Sequence, residues 1–486
     1  MDTAQPSINQ LSTPQNLSEA FSVNTPMDNK DISSPPPKTN EFLGKIKIVI
    51  ILFFILGSLL GIIKIAQKLI LNIKPQPITI TYWGLWEDED TLKSIIEEYK
   101  VVHPNITVIY QKQSLLLYEE RLRGALDKET APDIFRFHNT WLPMLKNYLS
   151  PMPSTVFTAQ DYEKTFYRVA QSDLKNGSSY YGIPLEIDNL ALFYNEDLFK
   201  TVALMPPTTW EGLYETAKRL TVKDVNGKIR TAGVAIGTVN NIDFWSDIIG
   251  LMFLQNGTDM KKIGSTILQD GSNAGEDTLS YYVNFAKGED RVWDETLDNS
   301  SIAFAAGRLA MYFATSRAIQ EIRKLNPGLN FKIVPIPQLA NQQTNWANYW
   351  VEGVNAKSPV SKDSWNFLKF LSAKENLQKR YEIAAKARLF GEPPSRTDMA
   401  DSHKGDPFIG TFITQAPTAK SWYLADRTFE GEKGINMQVK KQIGNAIGKI
   451  FQGGTAKEAL IETEKNIQQI LVGYGLDVPV PSSSAR

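Results

Sequence analysis

The chain has 486 residues, too many for one hydrophobic core, so two or more domains are expected. Its net charge of −1 offers no basic excess for nucleic acid. The absence of cysteine removes disulfides, thiolate metal sites, a cysteine nucleophile and a lipid-bearing cysteine together, and three scattered histidines (His103, His138, His403) argue against a histidine metal site, so no cofactor is expected.

Residues 1–43 are rich in Ser, Thr, Pro, Asn and Gln and hold little apolar material, which predicts a disordered tail. Residues 48–63 (IVIILFFILGSLLGII) carry no charge, and the apolar character runs on past Lys64 and Lys68 to Leu71. With snorkelling lysines this is long enough to span a bilayer. The polar stretch in front and the lack of a small-x-small cleavage site behind point to an uncleaved anchor over 44–71 rather than a signal peptide. Lysines flank both sides (Lys38, Lys45 and Lys47; Lys64, Lys68 and Lys74), so the positive-inside rule gives no orientation.

After a short linker at 74–77, strand-like and helical patterns alternate. Residues 78–83, 106–110 and 133–137 read as strands, with helices at 92–102 and 115–126 between them, which predicts a parallel sheet. Ligands of open α/β sheets bind at the carboxyl ends of the strands. Two such ends carry Trp83-Gly84-Leu85-Trp86 and His138-Asn139-Thr140-Trp141. The stretch at 182–195, GIPLEIDNLALFYN, reads as the end of one lobe, a hinge with two carboxylates (Glu186, Asp188), and the first strand of a second lobe. Beyond it, Thr208 and Glu211 have capping-box spacing. Residues 240–257 read as a helix with Phe244 and Trp245 near its start. Residues 301–317 read as a helix, a break at Gly307, then a buried strand ending in Thr315-Ser316-Arg317. Strands follow at 331–337 and 349–355, helices at 365–372 and 376–385, a break at 387–395, and closing helices at 437–451 and 455–471. No period of 20–50 residues recurs. GNAIGK at 444–449 is one spacer short of a phosphate loop and lacks the following Ser or Thr.

Five pieces in this order, IPLEIDNLALFYNEDLF (183–199), PPTTWEGLYETAKRL (206–220), FAAGRLAMYF (304–313), EGVNAKSP (352–359) and QIGNAIGKIFQGGTAKEALIETEKNIQQIL (442–471), resemble the family 1, maltose-binding-like solute-binding proteins of ABC importers. The resemblance covers about residues 76–475. It implies an α/β, two-lobed periplasmic-binding-protein fold with a hinged ligand cleft, the chain crossing between lobes near Asp188, Pro335 and Thr397. The implied lobes are 72–187 plus 336–397 and 188–335 plus 398–478, with a flexible C-terminus at 479–486. It places Trp83, Trp86, Glu87, Asn139, Trp141, Asp188, Trp245, Ser316, Arg317, Tyr349, Trp350, Arg388 and Trp422 at the cleft. It also implies capture of a solute by lobe closure, no catalysis, delivery to separate ABC permease subunits, and an extracellular place for the large C-terminal part. Members of the family are commonly secreted or lipid-tethered, so the 43-residue tail and single transmembrane anchor, expected to hold this part at the plasma membrane, depart from the family pattern.

Sugars present apolar C–H faces and hydroxyl edges, so aromatic platforms with carboxylates and amides suit them. Trp83, Trp86, Trp141, Trp245, Tyr349 and Trp350 supply platforms, and Glu87, Asn139, Asp188 and Arg317 supply hydrogen-bonding groups. An oligosaccharide is the favoured solute. A polyamine or choline-like cation competes for aromatic boxes through cation–π attraction. Two further readings are a sensing or scaffolding ectodomain, and a glycoside hydrolase using Glu186 and Asp188 as paired acids.

Overall fold

The computed structural model describes residues 41–71, 76–128, 130–339, 343–388 and 390–476. Most of the expected tail, half of the linker and the C-terminal stretch from 479 lie outside the described residues. Contacts divide the chain into two units, 1–75 and 76–486.

In the first unit, helix α1 (Glu41–Leu71) starts three residues before the expected anchor. Its segment Ile46–Ile65 has mean hydropathy 2.8 and is long and apolar enough to cross a membrane. Its described side chains are nearly all exposed, and apolar character all round the helix suits lipid rather than a one-sided core.

The second unit opens with β1 (Ile78–Gly84), α2 (Glu89–Val102), β2 (Ile106–Lys112), α3 (Tyr118–Leu126) and β3 (Ile134–His138). The chain then enters β4 (Ala191–Asn195) and α4 (Trp210–Leu220). It continues through β5 (Val222–Lys223), β6 (Ile229–Val234), α5 (Trp245–Gln255), α6 (Ser300–Ala305), β7 (Leu309–Ala314), α7 (Ala318–Leu325) and β8 (Phe331–Val334). It returns through β9 (Trp350–Val354), α8 (Ser361–Leu371) and α9 (Lys374–Arg388), and closes with α10 (Ile435–Phe451) and α11 (Ala456–Gly473).

The two larger sheets have the order β9-β3-β1-β2 and β8-β4-β7-β6-β5. The pairings of β1 with β2 and β3 are parallel, as the alternation predicts. The first sheet is nonetheless mixed, because β9 pairs antiparallel with β3. It is a returning strand, entering from the other sheet, so no crossover helix forces it parallel. In the second sheet β4 is antiparallel to both β7 and β8 for the same reason.

Each sheet has its own core. One holds Ile80, Phe137, Ile183 and Ile187, and then Trp350, Trp365 and Leu368. The other holds Leu190, Phe193, Phe244, Phe313, Ile319, Ile336 and Trp346, and then Val439 and Ile467. The core therefore changes between Ile187 and Leu190, and again between Trp346 and Ala347. After Met399 the chain alternates, with Ile409–Ile413 in the second core, Ala416 and Ala419 in the first, and Leu424 onward in the second. The architecture is two α/β lobes with a cleft between them.

Candidate functional site

The cleft is built where strands of both lobes end. Gly84 closes β1 because a Cβ there would lie 2.4 Å from the Tyr110 ring. The tight approach throws Leu85, Trp86 and Glu87 out over the end of the sheet, and the Tyr110 hydroxyl pins the turn by donating to the Glu87 carbonyl at 2.9 Å. From the other lobe, the turn after β7 delivers Thr315, Ser316 and Arg317. The irregular segment before β4, tied by single bridges of Glu186 to Pro394 and Asn189 to Ala347, brings Glu186 and Asp188 underneath.

The floor is a buried charge network. Arg136 of β3 donates bidentately to Glu87 at 2.8 and 3.0 Å, and to Glu352 of β9 at 2.6 Å. Tyr82 also donates to Glu352, at 2.9 Å. Arg380 of α9 pairs with Glu87 and reaches Glu186 at 3.1 Å and Glu392 at 3.8 Å. Arg317 pairs with Glu186 and lies 3.8 Å from Glu392, which also holds Arg388. Four carboxylates are thus matched by four guanidiniums. Burial pushes the Glu87 carboxyl up, but Arg136, Arg380 and Arg317 overcome it and hold it well below the usual range. Glu392 is likewise lowered by Arg388, Arg380 and Arg317 against its burial. Burial wins at Glu352, whose carboxyl is raised. Oxygens of Glu87, Glu186 and Glu392 come within 4.8 Å of one another, a spacing that suits a cation. Here the arginines already supply that positive charge.

Asp188 is held differently. It accepts from the Ser316 amide at 3.1 Å, the Ser316 hydroxyl at 2.7 Å and the Asn189 amide at 2.9 Å. Burial still dominates and pushes its carboxyl up to about 7. Asp247 is also raised to about 7, by burial and the charge of Asp426. It accepts from Trp346 at 2.7 Å and Asn348 at 2.8 Å.

Above this floor stands an aromatic wall. Trp86 meets Trp350 edge-on at 5.9 Å and Phe429 at 5.9 Å. Arginines lie over three rings near the cleft: Arg317 at 4.0 Å from Trp86, Arg427 at 4.9 Å from Phe244, and Arg388 at 5.7 Å from Phe390. The enclosed volume is about 570 Å³. Five described non-glycine residues have positive φ, and Phe244, Arg427 and Phe429 among them line this cleft. Strain of this kind persists where surrounding structure over-determines it, commonly at ligand sites.

Of the residues expected at the cleft, Trp86, Glu87, Asp188, Arg317, Trp350 and Arg388 line it together. Ser316 is buried beside them as the partner of Asp188. The others are placed elsewhere. Trp83 falls on the opposite face of β1 from Tyr82, as strand alternation requires, and its indole donates to Gln111 at 2.9 Å. Trp141 is fully buried behind Trp350 and donates to Glu430 at 2.7 Å, so it presents no face. Tyr349 is also fully buried, with its hydroxyl on Asp173 at 2.9 Å. Asn139 donates to the same carboxylate at 2.8 Å, and with Trp422 lines a separate pocket of about 220 Å³. Burial pushes Asp173 up to about 6. Trp245 lines a groove beside α10, with Lys440 over its ring at 5.8 Å.

Sequence reasoning missed Phe244, Arg427 and Phe429, and the buried Arg136, Arg380, Glu352 and Glu392. The turn aromatics carry only the faint signal of rings outside an apolar run. The buried pairs carry none, because Arg136 and Glu352, or Arg380 and Glu186, are about 200 residues apart in sequence.

A model of the family described as bacterial extracellular solute-binding protein matches residues 94–413. Among solved structures, the fold is similar to the sugar-binding protein MalE of Xanthomonas citri, with TM-score 0.65 and 18 % identity over 81 % of this chain and 98 % of that one. It is also similar to the cyclic α-maltosyl-1,6-maltose binding protein of Arthrobacter globiformis, with TM-score 0.64 and 15 % identity over 82 % and 100 %. A third is an ABC transporter solute-binding protein of Thermotoga lettingae bound to α-D-tagatose, with TM-score 0.60 and 21 % identity over 82 % and 100 %.

Proposed function

Because the chain belongs to the bacterial extracellular solute-binding protein family, we propose that its cleft captures a neutral oligosaccharide by lobe closure and hands it to a separate ABC importer. One observation carries this reading: the aromatic wall of Trp86, Trp350 and Phe429 lines the same cleft as Glu87, Arg317 and Arg388, which belong to a charge-balanced arginine–glutamate network. Rings offer stacking surface for C–H faces. Glu87 and Arg388, the members of that network that reach the cleft besides Arg317, offer an acceptor and a donor for hydroxyls without demanding a net charge. The three similar structures named above are a sugar-binding protein, a cyclic maltosyl-maltose binding protein and a solute-binding protein bound to tagatose, which supports the same class.

The floor also weighs against a polyamine. Glu87, Glu186 and Glu392 face guanidiniums, Glu321 faces Arg427 at 2.7 Å and Asp88 faces Lys112 at 2.6 Å. A cationic solute would have to displace these partners. Hydrolysis fares no better. Glu186 is engaged by Arg317 and Arg380, leaving it ill-suited to act as the second acid of a pair with Asp188.

The helix α1 is proposed as an uncleaved anchor that holds the large C-terminal part outside the plasma membrane. Pelleting of the full chain with membranes after alkaline carbonate extraction supports it, and release into the supernatant overturns it.

The functional test is a thermal-shift and calorimetric screen of the full chain in lipid nanodiscs. Its panel is maltotetraose, mannobiose, galacturonate and spermidine. A ligand that binds only the native state adds RT ln(1 + [L]/Kd), about 2.7 kcal/mol at a hundredfold excess over Kd. Shifts with neutral oligosaccharides are expected. Shifts with spermidine alone would overturn the choice of solute.

A further inference from the structure

One face of Trp86 is already taken. Arg317 belongs to the second lobe, on the turn between β7 and α7, whose Ala318 and Ile319 pack in the second core. Its polar and aromatic partners are on the first lobe or the hinge. The guanidinium lies 4.0 Å from the Trp86 ring centroid, pairs with Glu186 and lies 3.8 Å from Glu392. A cation this close over an indole is attracted by the ring, more strongly when partly desolvated, and the Arg317 side chain is only 20 % exposed. Trp86 meanwhile keeps a buried indole N–H with no hydrogen-bond partner among the described residues. An orphaned donor of this kind is costly unless something in the working cycle satisfies it.

Resting on the saccharide reading of the cleft, we propose that Arg317 sets the receptor's affinity as an internal occupant of the Trp86 platform. It bridges the lobes when no solute is present and competes with the solute ring for the same aromatic face. Lobe opening carries the guanidinium off Trp86. The solute then stacks where the guanidinium lay, and a hydroxyl oxygen accepts from the unpartnered indole N–H. The bridged form is not binding-competent, so the apparent Kd is the intrinsic one divided by the competent fraction. Removing Arg317 raises that fraction. The fold survives the removal because neither carboxylate is orphaned: Glu186 retains Arg380 at 3.1 Å, and Glu392 retains Arg388.

The chain has no cysteine, so two introduced ones are the only labelling sites. Lys112 and Lys324 line the cleft from opposite lobes. The full chain in nanodiscs, carrying Lys112→Cys and Lys324→Cys with nitroxide labels, is measured by electron double resonance with and without Arg317→Met. Without solute, R317M is expected to move the distance distribution to longer values. In titrations with maltotetraose, R317M is expected to bind about tenfold more tightly, and Trp86→Ala to lose binding in both backgrounds. Superimposable distributions for parent and R317M overturn the bridge. Weaker maltotetraose binding by R317M overturns the competition, since Arg317 would then be a solute contact. Opening in R317M with no binding of maltotetraose or mannobiose by either protein leaves the bridge standing and removes the saccharide reading beneath it.

Discussion

Asp188 sits at the point where the chain leaves the first core, and its ionisation is tied to the folded state. Burial raises its carboxyl to about 7, against roughly 3.9 in an unfolded chain. Between these values the native state binds the proton more tightly than the unfolded state, so this residue's contribution to stability falls as pH rises from about 4 to about 7. Asparagine has no such dependence. The difference Tm(Asp188→Asn) minus Tm(wild type) is therefore expected to increase from pH 5 to pH 8 in thermal unfolding, and a constant difference would contradict the assignment. His138 works in the opposite sense. Burial lowers it to about 4, so its contribution is lost as pH falls from about 6.5 towards 4. Trp350 shows a different coupling of site and stability. It is 3 % exposed and packs against Trp86, Tyr118, Trp141, His138 and Phe429. Trp350→Ala is expected to cost about 3–5 kcal/mol in urea unfolding as well as any binding. Trp86→Ala is the cleaner probe of the platform. The acidic and aromatic character of these positions was legible in the sequence. Which ring faces the cleft was not, because Trp83 and Trp86 differ only by strand alternation and the turn at Gly84.

At the scale of elements the local signals served well where punctuation was strong. Gly307, at φ 71°, separates α6 from the fully buried β7, as the sequence pattern predicts. The cap of α4 is displaced by one residue: Thr209, not Thr208, accepts from the Gly212 amide. A complete capping box, Thr455 with Glu458, caps α11. Close packing of elements was not legible. Gly233 in β6 lies so near α4 that a Cβ there would be 2.0 Å from the Ala217 carbonyl oxygen. Backbone cannot swing aside like a side chain. Gly233→Ala is expected to push α4 off the sheet and cost about 1–3 kcal/mol, near the upper end, read as a lowered urea midpoint. An unchanged midpoint would mean that the helix–strand contact is looser than drawn.

At the scale of the molecule, the order of strands, helices and motifs was enough to indicate two α/β lobes, because that order fixes which strands can pair. The floor of the cleft was hidden for the complementary reason. Glu87, Arg136, Glu186, Arg317, Glu352, Arg380, Arg388 and Glu392 come from widely separated stretches, and only the completed fold sets them beside one another. The sequence pointed to Glu87, Glu186, Arg317 and Arg388 near the cleft, but it gave no sign of their buried partners Arg136, Glu352, Arg380 and Glu392.

That floor has a bearing on where such a receptor can work. Mobile ions screen exposed charges over about 10 Å at 0.1 M salt and about 3 Å at 1 M, but they enter a buried network poorly. A neutral solute held over internally matched charges should keep its Kd within about twofold across that range, measured by calorimetry, whereas a charged solute would lose affinity steadily. On the proposed reading, capture of a neutral solute would then be equally tight in dilute and salty surroundings.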